Sequence, residues 1–124
     1  MPGTLVITTL SDGTNSTSAT NTIQGSAKAW VNFNGTTSPG TIRAQYNVSS
    51  VTKSAAGSYT VNFTSALASA NYSVVASCRG QSDSDANTTV AGPGTLTTST
   101  VTIFCKNNGN TLVDSSVICV SVNI

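Results

Sequence analysis

Apolar and polar residues alternate along most of the chain. Tyr59, Val61 and Phe63 interleave with Thr60, Asn62 and Thr64. A period of two marks a strand with one buried and one wet face. Ala27, Ala29, Val31 and Phe33 make a second apolar face, with Lys28, Trp30, Asn32 and Asn34 opposite. In the next run Ile42, Ala44, Tyr46 and Val48 are expected to point inward, and Arg43, Gln45 and Asn47 outward. Tyr72, Val74, Ala76 and Cys78 alternate with Ser73, Val75 and Ser77. Further strands are predicted over Leu5–Leu10, Thr95–Cys105 and Leu112–Ile124. No run carries the 3.6-residue stripe of an amphipathic helix, and one turn around Leu67 comes nearest.

Turn-forming clusters punctuate these runs: Ser11-Asp12-Gly13, Asn34-Gly35, Ser38-Pro39-Gly40, Ala56-Gly57, Gly92-Pro93-Gly94 and Asn108-Gly109-Asn110. Short strands with such spacing predict an all-β fold, an antiparallel β-sandwich with hairpin connections. Val51–Phe63, centred on Ser54-Ala55-Ala56-Gly57, is the clearest hairpin. Residues 12–26 are rich in Thr, Ser and Asn without alternation. The expected layout is therefore an N-terminal strand and linker or stem over 1–26, then the sandwich over 27–124.

Composition narrows the function. At 124 residues the chain suits one domain. Only 7% of it is charged and the net charge is +1, so hydroxyls and amides supply the polar surface. The cations Lys28, Arg43, Lys53, Arg79 and Lys106 are scattered, unlike the basic stripe that nucleic acid requires. No apolar run nears the ~18 residues of a membrane helix, so membrane insertion is not expected, nor is a signal peptide. Cys78, Cys105 and Cys119 each sit in an apolar stretch. Reduced core thiols are expected, with a single disulfide as the alternative.

The inventory argues against catalysis. There is no His and no Glu, and the side-chain carboxylates are Asp12, Asp83, Asp85 and Asp114. A Ser or Cys nucleophile would lack its usual base, and Asp83 and Asp85 share one loop rather than flanking a substrate. Asp83-Ser84-Asp85-Ala86-Asn87 opens like a calcium loop but has Thr88 where Gly is needed and Gly94 where Glu is needed. No metal and no cofactor are expected. Trp30, in phase with Lys28, Asn32 and Asn34, is the most informative side chain. An aromatic plate beside Arg43, Gln45 and Asn47 suits sugar binding, while packing against another subunit or under a loop is the competing explanation. The other candidate contacts lie in loops: Gln81, Asp83, Asp85 and Asn87, and the turn bearing Lys106 and Asn108.

Four ordered blocks carry a family resemblance. Ala27-Lys28-Ala29-Trp30-Val31-Asn32-Phe33-Asn34-Gly35-Thr36 is followed by Ile42-Arg43-Ala44-Gln45-Tyr46-Asn47-Val48-Ser49-Ser50-Val51. Gly57-Ser58-Tyr59-Thr60-Val61-Asn62-Phe63-Thr64 and Ala70-Asn71-Tyr72-Ser73-Val74-Val75 complete the set. Together they resemble the C-terminal receptor-binding domain of bacteriophage tail-fibre and related virion proteins. The resemblance implies a sandwich-like domain that assembles as a homotrimer on the virion. It implies attachment to a host surface polysaccharide or outer-membrane receptor, and contact with other virion proteins. A structural virion protein (a head decoration or fibre-joining module) and a monomeric carbohydrate-binding module are the alternatives.

Overall fold

The computed structural model describes residues 2–80 and 90–124. The expected alternation becomes two four-stranded antiparallel sheets packed face to face. One has the strand order β4-β3-β10-β7, from β3 (Ala29–Asn34), β4 (Thr41–Tyr46), β7 (Ser73–Cys78) and β10 (Ile118–Asn123). The other has the order β5-β6-β9-β8, from β5 (Val48–Ala55), β6 (Ser58–Phe63), β8 (Val90–Leu96) and β9 (Thr100–Lys106). β5 and β6 form the predicted hairpin, paired from Val48↔Phe63 to Ala55↔Ser58. The chain crosses between sheets after β4, β6, β7 and β9.

The inward residues close one apolar core. Ala29, Val31 and Phe33 of β3 and Ile118, Val120 and Val122 of β10 face Tyr59, Val61, Val101, Ile103 and Cys105 of the other sheet. Phe33 meets the Tyr59 ring edge-on at 5.3 Å, and Phe63 meets Tyr72 at 6.1 Å. Such edge-to-face pairs add to the burial of the rings themselves.

One end of this core is polar and tightly bonded. The Tyr59 hydroxyl, on a fully buried side chain, lies 2.8 Å from Asp114 Oδ1 and 3.0 Å from the Gly35 carbonyl. Asp114 also accepts from the Gly57 amide at 3.0 Å and pairs with Lys53 at 2.7 Å. Gly57 has φ +67, and a Cβ there would lie 2.6 Å from the Cys105 carbonyl oxygen. At Gly35 a Cβ would meet the Tyr59 hydroxyl at 2.5 Å. Ser115, fully buried, bonds the Arg79 and Val117 carbonyls with its hydroxyl.

Several expectations need correction. The strand predicted over 5–10 shrinks to β1 (Thr9–Ser11), which pairs with β2 (Ser16–Ser18) around a turn held by the Asp12 carboxylate. A short helix, α1 (Ala19–Gly25), follows, capped by Ser18. None of its residues is buried, so it has no apolar stripe to betray it. Leu67 lies in irregular chain instead of a helical turn. Gly92-Pro93-Gly94 is not a turn but part of β8, at a sheet edge where a missing N–H is tolerated. The turn that divides the predicted 95–105 strand is built by the Thr97 hydroxyl, which accepts from the Ser99 and Thr100 amides. The strand predicted over 112–124 begins only at Ile118, because residues 113–115 carry the polar cluster instead.

Two stability predictions follow from these contacts. Burial pushes the Asp114 carboxyl up, but bonds from Lys53, the Gly57 amide and Tyr59 outweigh it and hold the group below its ordinary value. With a folded pKa below the unfolded value of about 3.9, its contribution is complete above about pH 4 and is lost as pH falls through the folded value. Asp114→Asn should lower stability at neutral pH by about 1–3 kcal/mol and flatten this acid limb, read by denaturant melts across pH. At the β4–β5 crossing, Asn47 has φ 54 and its side chain bonds the Lys28 and Ser65 carbonyls and the Ser65 amide. Asn47→Ala should cost about 2–3 kcal/mol in the same assay, and Asn47→Gly less, because glycine keeps the left-handed backbone at no steric cost.

Candidate functional site

The outer face of the β4-β3-β10-β7 sheet concentrates the exposed apolar side chains of the sandwich. Pairing places Trp30 opposite Tyr46 on β4 and opposite Ser121 on β10, and Ser121 opposite Val75 on β7. Directly opposed residues share a face. Tyr46, Trp30, Ser121 and Val75 therefore form one row across all four strands, about 14 Å long at the usual strand spacing. Their exposure is 57% for Tyr46, 40% for Trp30 and 66% for Val75, so the row is open to solvent. The next row is Ala44, Asn32, Cys119 and Ser77. Between the rows runs a groove of about 270 Å³, lined by Trp30, Asn32, Val75, Ser77, Cys119 and Ser121.

Tyr46 reaches this face through a one-residue slip. Asn32 pairs with Ala44 but Phe33 pairs with Ile42, leaving Arg43 as the extra residue of a bulge. Ile42 packs toward the core, whereas Ala44 and Tyr46 are exposed. The expected inward set Ile42, Ala44, Tyr46 thus splits at Arg43, because a bulge exchanges the faces beyond it. Arg43 does join the Trp30 face: its guanidinium bonds Asn32 Oδ1 at 3.3 Å and the Ser116 carbonyl at 2.7 Å. Gln45 and Asn47 do not. Gln45 accepts from the Val48 amide, and Asn47 is consumed at the crossing.

The opposite face has a different chemistry. On the β5-β6-β9-β8 sheet the outward positions Ser50, Thr52, Thr60, Asn62, Thr100 and Thr102 are hydroxyls and an amide. Asn62 Nδ2 donates to Ser50 Oγ and Thr52 Oγ1, both at 3.1 Å, so the β5–β6 part of this face is bonded to itself. Lys106 and Asn108 stand at its end, beside a trough of about 570 Å³. They lie together but on the other sheet from Trp30 and Arg43. Gln81, Asp83, Asp85 and Asn87 fall outside the described residues.

Among the described residues no group of three or more His, Cys, Asp or Glu side chains could hold a metal. Burial pushes the Cys105 thiol up, and the neighbouring Cys78 thiol adds to the effect; burial likewise raises Cys78. Both are therefore thiols rather than thiolates at neutral pH, a state that suits packing and not nucleophilic chemistry.

Comparison with models of protein families, with curated proteins and with solved structures finds no match to this chain.

Since the aromatic row lies on the outer face and not in the core, its truncation should cost little. Trp30→Ala and Tyr46→Ala should each lower stability by about 1 kcal/mol or less, the loss of their cross-strand pair, in a denaturant melt. Val31→Ala, one residue away but buried, should cost about 2–4 kcal/mol.

Proposed function

We propose that the chain is a non-enzymatic attachment domain, the receptor-facing end of a virion fibre. In this reading it works as a homotrimer and grips a host surface glycan on the outer face of the β4-β3-β10-β7 sheet. The observation that carries the reading is the open row Tyr46–Trp30–Ser121–Val75 with Asn32 and Arg43 beside it. A sugar ring presents apolar C–H faces and a rim of hydroxyls. Aromatic plates match the first, and amide, hydroxyl and guanidinium groups match the second. The row also lies within and beside the blocks of residues 27–75 that resemble fibre-tip domains. Three weak sites on one rigid body would raise avidity by about 10²–10⁴ without tighter individual contacts.

A second reading draws on Val75. A 66% exposed valine on the edge strand of a sparsely charged sheet also suits a protein partner, as in a structural virion module.

Trp30→Ala separates the two. On the attachment reading, adsorption of the purified chain to host cells falls at least ten-fold, while the native mass by light scattering stays that of a trimer. Dissociation of the trimer in the variant would assign the row to a subunit interface. Undiminished adsorption with intact mass would remove the glycan role from this face.

A further inference from the structure

We propose a second binding site, for a carboxylate-bearing sugar, in the trough between β8 and the 107–111 turn. It lies on the other sheet from Trp30 and does not depend on the attachment reading. Its floor is β8, where Gly92 leaves the surface bare: a Cβ built there meets nothing within 4 Å. Phe104, which pairs across from Gly92, forms part of the lining and lies so close to Gly94 that a Cβ there would sit 2.4 Å from its ring. Glycine at 94 is what lets this ring lie down against the strand, giving an apolar plate at the base of a concavity of about 570 Å³.

The wall opposite is polar and rigid. Asn107 Oδ1 accepts from the Gly109 and Thr111 amides at 2.9 and 3.0 Å, and the Asn107 amide donates to the Thr111 carbonyl at 3.0 Å. Asn110 holds a left-handed backbone at φ 60 and accepts from Lys106 Nζ at 2.9 Å. Lys106 is half-buried, and among the described residues no carboxylate pairs with it, the ion pair there being Lys53–Asp114. An ammonium has three donors, so one bond to a neutral amide leaves both charge and hydrogen-bonding capacity to be met. That ammonium lines a concavity open to solvent, where a carboxylate can take the place of water with a charge-assisted bond. The ring plate favours a pyranose face, and the exposed Asn108 amide favours hydroxyls. An acidic sugar residue joins all three requirements in one ligand.

The test is isothermal titration of the purified full chain with α-1,4-linked digalacturonic acid and, in parallel, with the neutral digalactose. Digalacturonic acid should bind, with digalactose at least ten-fold weaker, and the preference should shrink as salt is raised. Lys106→Gln should abolish the preference without shifting the melting temperature. Gly92→Leu, which projects a side chain into the open trough, should abolish binding of both sugars. Trp30→Ala should leave digalacturonic acid binding intact. Equal binding of the two disaccharides, binding of neither, or a preference retained in Lys106→Gln would overturn the proposal. So would loss of digalacturonic acid binding in Trp30→Ala, which would move the site to the other sheet. Host adsorption that depends on Trp30 in a chain that binds neither disaccharide would sink the trough site alone and leave the attachment reading standing.

Discussion

The contact between the Tyr59 hydroxyl and the Asp114 carboxylate is the constraint on which the rest of the sandwich depends. It ties β6, in one sheet, to the segment that leads into β10, in the other. A chain with 7% charged residues spends the ion pair seen among its described residues here, at the end of its core, and not on its surface. The carboxylate is supplied with three donors, from Lys53, Gly57 and Tyr59, which offsets its partial loss of water. Two glycines make the geometry possible. Gly35 leaves room for the hydroxyl, and Gly57 combines a left-handed backbone with close approach to the 113 segment. From this anchor the chain passes through buried Ser115 into β10, whose register sets Ser121 beside Trp30. The placement of the aromatic row is thus fixed at its far end by a polar cluster bonded within the protein.

Both sheets use the same alternation, yet their outward faces differ in what remains unsatisfied. On the β5-β6-β9-β8 sheet, Asn62 bridges Ser50 and Thr52, so donors and acceptors find one another within the protein. On the β4-β3-β10-β7 sheet, the row of Trp30, Tyr46 and Val75 offers apolar area that water wets poorly, with Arg43 held beside it. Recognition follows unsatisfied surface more than polarity as such. Where Asn62 already meets Ser50 and Thr52 a partner gains little, whereas the aromatic row, like the Phe104 ring at the far end of the other sheet, gains by losing water.

Much of the architecture could be read from the period of the chain. The sandwich, the hairpin expected over 51–63, the inward set of β3 and the outward aspect of Trp30 all follow from residue alternation, which reports burial directly. The errors arise where tertiary contacts override the local pattern. Alternation assumes one residue per pleat, and the bulge at Arg43 breaks that assumption, which hid Tyr46 on the wrong face. No residue type at 42–44 announces a bulge, because it is stabilised across the sheet, by Asn32 and Ser116, and not locally. Gly92-Pro93-Gly94 read as a turn because its composition is that of one. Its position at a sheet edge, and the Phe104 ring lying on Gly94, supply reasons for those residues that only tertiary contact reveals. The turn at Thr97 was invisible for the converse reason, since a threonine hydroxyl there does what Gly or Pro does elsewhere.

The scarcity of charge shapes any binding this surface performs. With a net charge of +1 and cations spread over both sheets, the domain has little field to steer a partner from a distance. Contact must be made by collision and kept by short-range forces: ring stacking, displaced water and single hydrogen bonds. The groove beside Trp30 is small, about 270 Å³, and open to solvent. A shallow groove of this kind would give any partner modest affinity, because most of the partner would stay hydrated and few of its bonds would be sheltered. Under the attachment reading, repetition then does what depth does elsewhere. Copies of one weak site, held at fixed spacing, would then meet a repeating polymer whose own units are equally alike. On that reading the tightly bonded Tyr59–Asp114 end and the open aromatic face would belong to one solution, since a stiff mount lets weak contacts add.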